Sequence, residues 1–344
     1  MTMEFRLVDI AINKYNFDVD KIARGTSMCK DVIMQRIDKL SNYRKQLNKL
    51  KEIPIIKQKS PEWYEARNSM ISASDMAQSI GLGKFGTQKD LIKKKCDDAP
   101  AEFSASNPFF KWGNMFESVA VNIYSILNEG IQMNEFGLLK HPKHNFFGAS
   151  PDSISDNGIL CEIKCPLKRK ITGEIPTQYY LQILGQLEVC GLEECDYFEC
   201  EFLQENNEKC FLDNNQYEFK GVIVEQEDGT MVYSDIFHQN QSCHALGRFI
   251  KSYREASSKN KVLMWYLKKY MIKRVFRDEK LFNEKIKEVE EVWNKILFYR
   301  KNKDQYILDI MSTIDILDTE ECYPKEIKKS SPIKGYAFQD VDDN

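Results

Sequence analysis

The chain has 344 residues, 42% of them hydrophobic and 29% charged, with a formal net charge of −3. That balance is globular and excludes collagen-like and largely disordered chains. No apolar run approaches the roughly 18 residues a membrane span needs, and Glu4, Arg6 and Asp9 interrupt the opening segment, so neither an anchor nor a signal peptide is expected. Ten cysteines without a secretory signal imply an intracellular, reducing compartment and free thiols. The charge is uneven. Residues 1–60 carry 13 Lys and Arg against 7 Asp and Glu, 246–300 carry 15 against 7, and 301–344 carry 6 against 10, which leaves 61–245 at −13. Basic flanks around an acidic centre suit a polyanion and a cation-gathering core, although amphipathic helices with solvated Lys faces give the same imbalance.

In chain order, Ile33, Ile37, Leu40, Leu47 and Leu50 recur at helical spacing, which predicts a helix over 30–51 closed by Pro54. Ser60-Pro61 is a helix start, and Ser72-Ala73-Ser74 precedes a second short helix that ends at Gly81-Leu82-Gly83. Residues 93–107 lack periodicity and read as a loop, whereas Phe116, Val119, Ala120, Ile123, Tyr124 and Leu127 mark a helix over 112–127. A strand at 146–150 leads to Pro151-Asp152, and Ser153-Ile154-Ser155 joins Ile159–Lys164 through Asn157-Gly158, a strong hairpin signal. A helix over 176–190 and strands at 196–203 and 219–225 follow, then helices at 246–256, 260–274 and 279–302 and a polar tail after about 324. The expected division is 1–57 as an N-terminal helical extension, 58–245 as the core, and 246–344 as a C-terminal helical region with a tail.

Glu162 and Lys164 stand two apart on one strand and therefore project to the same face, with Ile163 on the other. The hairpin brings Asp152 alongside. Paired carboxylates supply hard oxygen ligands for Mg²⁺, and an adjacent lysine can orient or deprotonate a water, which outlines phosphodiester hydrolysis. A cross-strand ion pair would give the same bare pattern. Arg67 could equally pair with Glu62 or Glu65, Glu117 could be a solvated helix position, and Trp63 and Trp112 read as core anchors.

With Gly148-Ala149-Ser150-Pro151-Asp152, Glu162-Ile163-Lys164-Cys165-Pro166, Gln182 in the next helix and Trp112–Glu117 upstream, the chain resembles the PD-(D/E)XK nuclease superfamily. The similarity is greatest to its lambda exonuclease-like branch, the YqaJ-type viral recombinase and alkaline exonuclease family, and covers roughly 60–235. It implies an α/β (α+β) restriction-endonuclease-like core, a central mixed sheet flanked by helices, and a source in a large DNA virus, hence the host cytoplasm. In the family motif Trp63–Arg67 and Ile71–Ser74, an Arg and a Ser bind the terminal 5′-phosphate. Transfer gives Arg67, Ser74 and Ser150. A family Arg after the catalytic Lys falls in Lys168-Arg169-Lys170, where strict offset selects Lys170. The resemblance further implies Mg²⁺, with Mn²⁺ as substitute, held by Asp152, Glu162, the Ile163 backbone carbonyl and Glu117. Lys164 would position the water and Gln182 orient it. The implied activity is 5′–3′ digestion of double-stranded DNA from 5′-phosphorylated ends to mononucleotides. The implied partners are a single-strand-annealing protein and further copies of the chain, which form rings in some relatives.

The spacing of Cys190, Cys195, Cys200 and Cys210 fits neither zinc pairs nor the superfamily's iron–sulfur pattern. His141, His144, His238 and His244 form no metalloprotease motif, and Gly81-Leu82-Gly83-Lys84 lacks the spacing of a phosphate-binding loop. An endonuclease or flap nuclease of the same superfamily is the alternative activity, and a non-catalytic DNA-binding protein is the non-enzymatic one.

Overall fold

The computed structural model describes residues 2–97, 107–239 and 241–311. The described residues fall into two compact units, one that ends at Leu297 and one that begins at Phe298. In the first, three helices, α1 (Thr2–Lys14), α2 (Val19–Thr26) and α3 (Lys30–Lys51), precede the mixed α/β body. Val8, Ile12, Ile22, Ile33 and Leu40 form their shared core, which also takes in Ile159 of the hairpin. The extension therefore closes over the strand pair that carries Glu162.

Ser60 caps α4 (Pro61–Asn68) by accepting from Trp63 N–H, with Pro61 in the first turn, where it removes no needed donor. After β1 (Ile71–Ser72) and a 3₁₀ turn at Ala73–Asp75 come α5 (Met76–Ser79) and α6 (Gln88–Cys96). The expected loop over 93–107 is partly helix: a capping box between Thr87 and Asp90 nucleates α6, which runs to Cys96. Residues 98–106 lie outside the described residues. Asn107 and Pro108 then start α7 (Pro108–Leu127), one turn earlier than its apolar stripe begins.

Two sheets meet at Asp152. The small one has order β1-β4-β3, with β3 at Leu139–Lys140 and β4 at Phe147–Ala149, β1 parallel and β3 antiparallel to β4. The large one is mixed. It begins with β2 (Met133–Asn134), β5 (Ser153–Ser155) and β6 (Leu160–Lys164), then takes β7 (Glu194–Glu205) parallel to β6. Between β6 and β7 lies α8 (Thr177–Cys190), and α9 (Glu208–Asp213) follows β7. The sheet continues with β8 (Phe219–Glu225), β9 (Met231–Tyr233) and β10 (Phe237–His238); α10 (His244–Ala256) follows. The segment expected as a helix over 260–274 is instead a 16-residue strand, β11 (Lys261–Phe276), paired antiparallel with both β7 and β8. Its centre, Met264–Leu267, is buried, so the two-residue alternation that identifies a strand is lost there and Leu263, Leu267 and Tyr270 mimic helical spacing. The region after 245 thus contributes a strand to the sheet as well as helices. The long helix α11 spans Glu279–Lys301. Within the second unit, Tyr299 Oη donates to Asp309 Oδ2 at 2.9 Å.

One glycine marks how closely α8 approaches the small sheet. A Cβ on Gly185 would lie 2.8 Å from the Phe147 ring and 3.1 Å from Ala73 Cβ, closer than packed carbon atoms tolerate. That approach brings α8 over the strand ends that carry the acidic residues.

Candidate active site

Asp152 sits on the link from β4 to β5, and the hairpin register pairs Ser153 with Cys161, so Asp152 comes beside Glu162 at the strand end. Its Oδ2 accepts the Ile163 N–H at 2.7 Å. Glu162 is fully buried, with Lys164 Nζ on Oε1 and Gln186 Nε2 on Oε2, the latter at 2.7 Å. On the opposite face of β6, Cys161, Ile163 and Cys165 join the main core with Phe116, Phe198 and Trp265. The alternation read from the sequence therefore holds, and the strand separates chemistry from core.

The electrostatics are those of a carboxylate cluster short of positive charge. Burial, then the charges of Glu162 and Glu117, pushes the Asp152 carboxyl well above the aspartate range against the pull of Lys164. Burial also raises Glu117, opposed by Lys59 and Lys164 and reinforced by Glu162 and Glu135. For Lys164 burial acts downward, but Glu162 and Asp152 outweigh it and raise the pKa. The ammonium as it stands is a donor, not a base. Among the described residues no three acidic, His or Cys side chains close on one point; the Lys164 ammonium meets Glu162 instead. The donor set nonetheless suits a divalent cation, because hard oxygens with unbalanced negative charge are what such an ion stabilises.

Gln182 is half-buried and makes no side-chain hydrogen bond among the described residues, whereas Gln186, one turn further along α8, holds Glu162. The i, i+4 relation of the two was the available signal. Tyr179 on the same helix, which no sequence motif marks, adds an aromatic face: Lys164 Nζ lies 4.9 Å and Arg169 Cζ 5.4 Å from its ring centroid, a cation–π arrangement. Arg169 pairs at 2.5 Å with buried Glu199, while Lys170 is exposed.

The second cluster forms around Arg67. Its Nη2 donates to Ser72 Oγ at 2.8 Å and Ser74 Oγ at 3.0 Å, and its guanidinium carbon lies 4.6 Å from the Trp63 ring centroid. Trp63 Nε1 donates to Ser150 Oγ at 3.0 Å. Arg67 and Ser74 are thus in contact, and Ser150 joins them through Trp63, which is a buried anchor and a connector at once. Beneath them, burial would raise Asp75, but Lys95, Arg67 and Lys94 with the Ser72 hydroxyl hold its carboxyl far below the usual range. Lys95 Nζ in turn donates to the Arg67 and Met70 carbonyls at 2.7 and 2.8 Å.

Cys161, Cys190, Cys195 and Cys200 are buried, and burial pushes their thiols up, the behaviour of core residues. His141 is buried against Phe282, with ring centroids 5.4 Å apart, and its Nδ1 accepts the Lys143 and His144 N–H groups, each at 3.0 Å. No described helix is long and apolar enough to cross a membrane.

Residues 62–193 match the YqaJ-like viral recombinase domain. An uncharacterised protein of Acanthamoeba polyphaga mimivirus is 26% identical over an alignment that covers 83% of this chain and 62% of that protein, so the chain spans about three-fifths of the relative's length. Among solved structures, an alkaline exonuclease from Laribacter hongkongensis aligns with a TM-score of 0.46 and 19% identity, covering 72% of this chain and 98% of the other. A phage-related exonuclease from Haemophilus somnus aligns at 0.40 and 11%, covering 69% and 96%.

Proposed function

We propose that the chain, whose residues 62–193 match the YqaJ-like viral recombinase domain, is a metal-dependent 5′–3′ exonuclease that digests double-stranded DNA from 5′-phosphorylated ends to mononucleotides in viral recombination, repair or replication. The observation that carries this reading is the convergence of Asp152, Glu162 and Lys164 at one strand end, with Glu117 electrostatically linked to them. Asp152, Glu162, the Ile163 carbonyl and Glu117 would hold Mg²⁺, or Mn²⁺, which supplies Lewis-acid polarisation of the phosphodiester and lowers the pKa of water.

The chain's own residues do the rest. Lys164, kept protonated by Glu162 and Asp152, donates to the attacking water or to the charge that develops on the phosphate. Gln186 fixes Glu162, and Gln182 on the same helix orients the water. Arg67 and Ser74 cradle the terminal 5′-phosphate with Ser150, since a guanidinium offers paired charged donors and the hydroxyls neutral ones. The exposed Lys170 adds a cation to the approach. End-directed polarity follows from that cradle, not from the carboxylates. A strand-annealing partner, a ring of identical chains and a place in the host cytoplasm belong to the same proposal through the family resemblance alone.

The test is Mg²⁺-dependent digestion of linear duplex DNA by wild type, Asp152→Asn, Glu162→Gln and Lys164→Met. Each variant is expected to fold and to lose activity on the order of a hundredfold or more. Wild-type digestion by Lys164→Met would reduce the lysine to an ion-pair partner and overturn the reading.

A further inference from the structure

The turn that leads into α4 places one more cation at the site, on a backbone unusual for lysine. Ser60 N–H donates to the Lys57 carbonyl at 3.2 Å, so Lys59 takes the third position of a tight turn with φ 65°. That position and that sign of φ favour glycine or asparagine. Strain retained at a non-glycine residue points to a role for its side chain.

The neighbours of Lys59 join both clusters. Gln58 Nε2 donates to the Phe136 and Pro151 carbonyls at 3.0 and 3.3 Å and so holds the residue before Asp152. Ser60 caps the helix that bears Trp63 and Arg67. Lys59 Nζ itself donates to Asn114 Oδ1 at 3.3 Å, one turn before Glu117 on α7. The residue is exposed, and among the described residues no carboxylate lies within ion-pair distance of its ammonium. A lysine tethered only to a neutral amide remains available to an incoming anion.

We propose that Lys59 contacts the backbone phosphates of bound nucleic acid between the Arg67–Ser74 cradle and the cleft of Asp152, Glu162 and Glu117. The inference rests on the nuclease reading above. A lysine here fixes the strand between its held end and the bond to be cut, which neither cluster does alone.

Lys59→Gly separates charge from backbone, because glycine suits the turn better than lysine does. The variant is expected to melt at or above the wild-type temperature. In EDTA, the salt dependence of its binding to a 5′-phosphorylated duplex should be shallower by about one released ion. With Mg²⁺ and sub-saturating duplex it should digest roughly tenfold more slowly, as loss of one charge-assisted contact predicts, and Lys59→Arg should restore the slope. An unchanged slope and rate would make Lys59 an ordinary surface lysine, and a lower melting temperature with lower activity would make the turn structural; either overturns the inference. Wild type that binds duplex without digesting it overturns the nuclease reading while the slope comparison still judges Lys59. A chain that binds no duplex overturns both.

Discussion

Asp152 and Glu117 carry carboxylates that the fold holds at a cost. Their pKa values are raised, largely by burial, so the folded protein binds their protons more tightly than the unfolded chain does. Stability therefore falls as pH rises from the ordinary carboxylate range through the folded values. Asp152→Asn removes the charge and can still accept the Ile163 N–H. It is expected to raise the melting temperature at pH 7–8 while abolishing digestion, the trade of stability for function common at active sites. Thermal melts of the two proteins at pH 5 and pH 8 check this: a gain confined to the higher pH is expected, and a variant less stable at both would contradict it. At this scale the sequence was legible where strand geometry governs, since period two alone puts Glu162 and Lys164 on one side. It was less legible on α8, where nearly every residue from Leu181 to Cys190 is buried and no exposed face distinguishes Gln186 from Gln182.

Between elements, the least legible feature is an ionic cluster under the N-terminal helices. Arg36 of α3 pairs with Asp9 of α1 at 2.6 Å and with Glu194 of β7 at 2.5 Å. Arg274 of β11 pairs with Asp196 at 2.6 Å and also with Glu194 and Asp9. Tyr43 Oη and Tyr124 Oη donate to Glu194 and Asp196 at 2.9 and 2.7 Å. Composition could not reveal this, because partners up to 265 residues apart meet only once α1, α3, β7 and β11 are assembled, and reading 260–274 as a helix scattered them further. The cluster holds the extension to the sheet that positions Glu162. Arg274→Met leaves Asp196 and Glu194 buried with too little positive charge and is expected to destabilise the chain by about 3–5 kcal/mol, measured by urea unfolding. A loss below about 1 kcal/mol would show that the cluster is dispensable.

Across the whole molecule, the basic flanks and acidic centre foreseen from composition resolve differently. Part of the central negative charge is internal, in Glu162, Glu194, Asp196 and Glu199, while many flanking lysines are exposed. The fold also carries an acid-sensitive point at His141, whose pKa is lowered from 6.5 to about 4 by burial and then by His144, Lys143 and Arg277. The unfolded chain takes up this proton first as pH falls. The neutral ring's contribution is therefore fully present above 6.5 and lost as pH falls to about 4, on the order of 3 kcal/mol in all. His141→Asn keeps an acceptor for the two N–H groups without titrating, so its stability should fall less steeply over that window. Parallel slopes in denaturant midpoint against pH would contradict the assignment.

The central claim is an exonuclease that starts at a phosphorylated end, and the measurement that tests it most directly is the initial rate of wild type and Arg67→Ala on linear duplexes differing only in a 5′-phosphate or 5′-hydroxyl. Product sizing and a covalently closed circle serve as controls. Wild type should prefer the phosphorylated end by about tenfold or more, the worth of one charged hydrogen bond, release mononucleotides and spare the circle, and Arg67→Ala should erase the preference. Equal wild-type rates on the two ends, or efficient cutting of the closed circle, would contradict the account and identify an endonuclease.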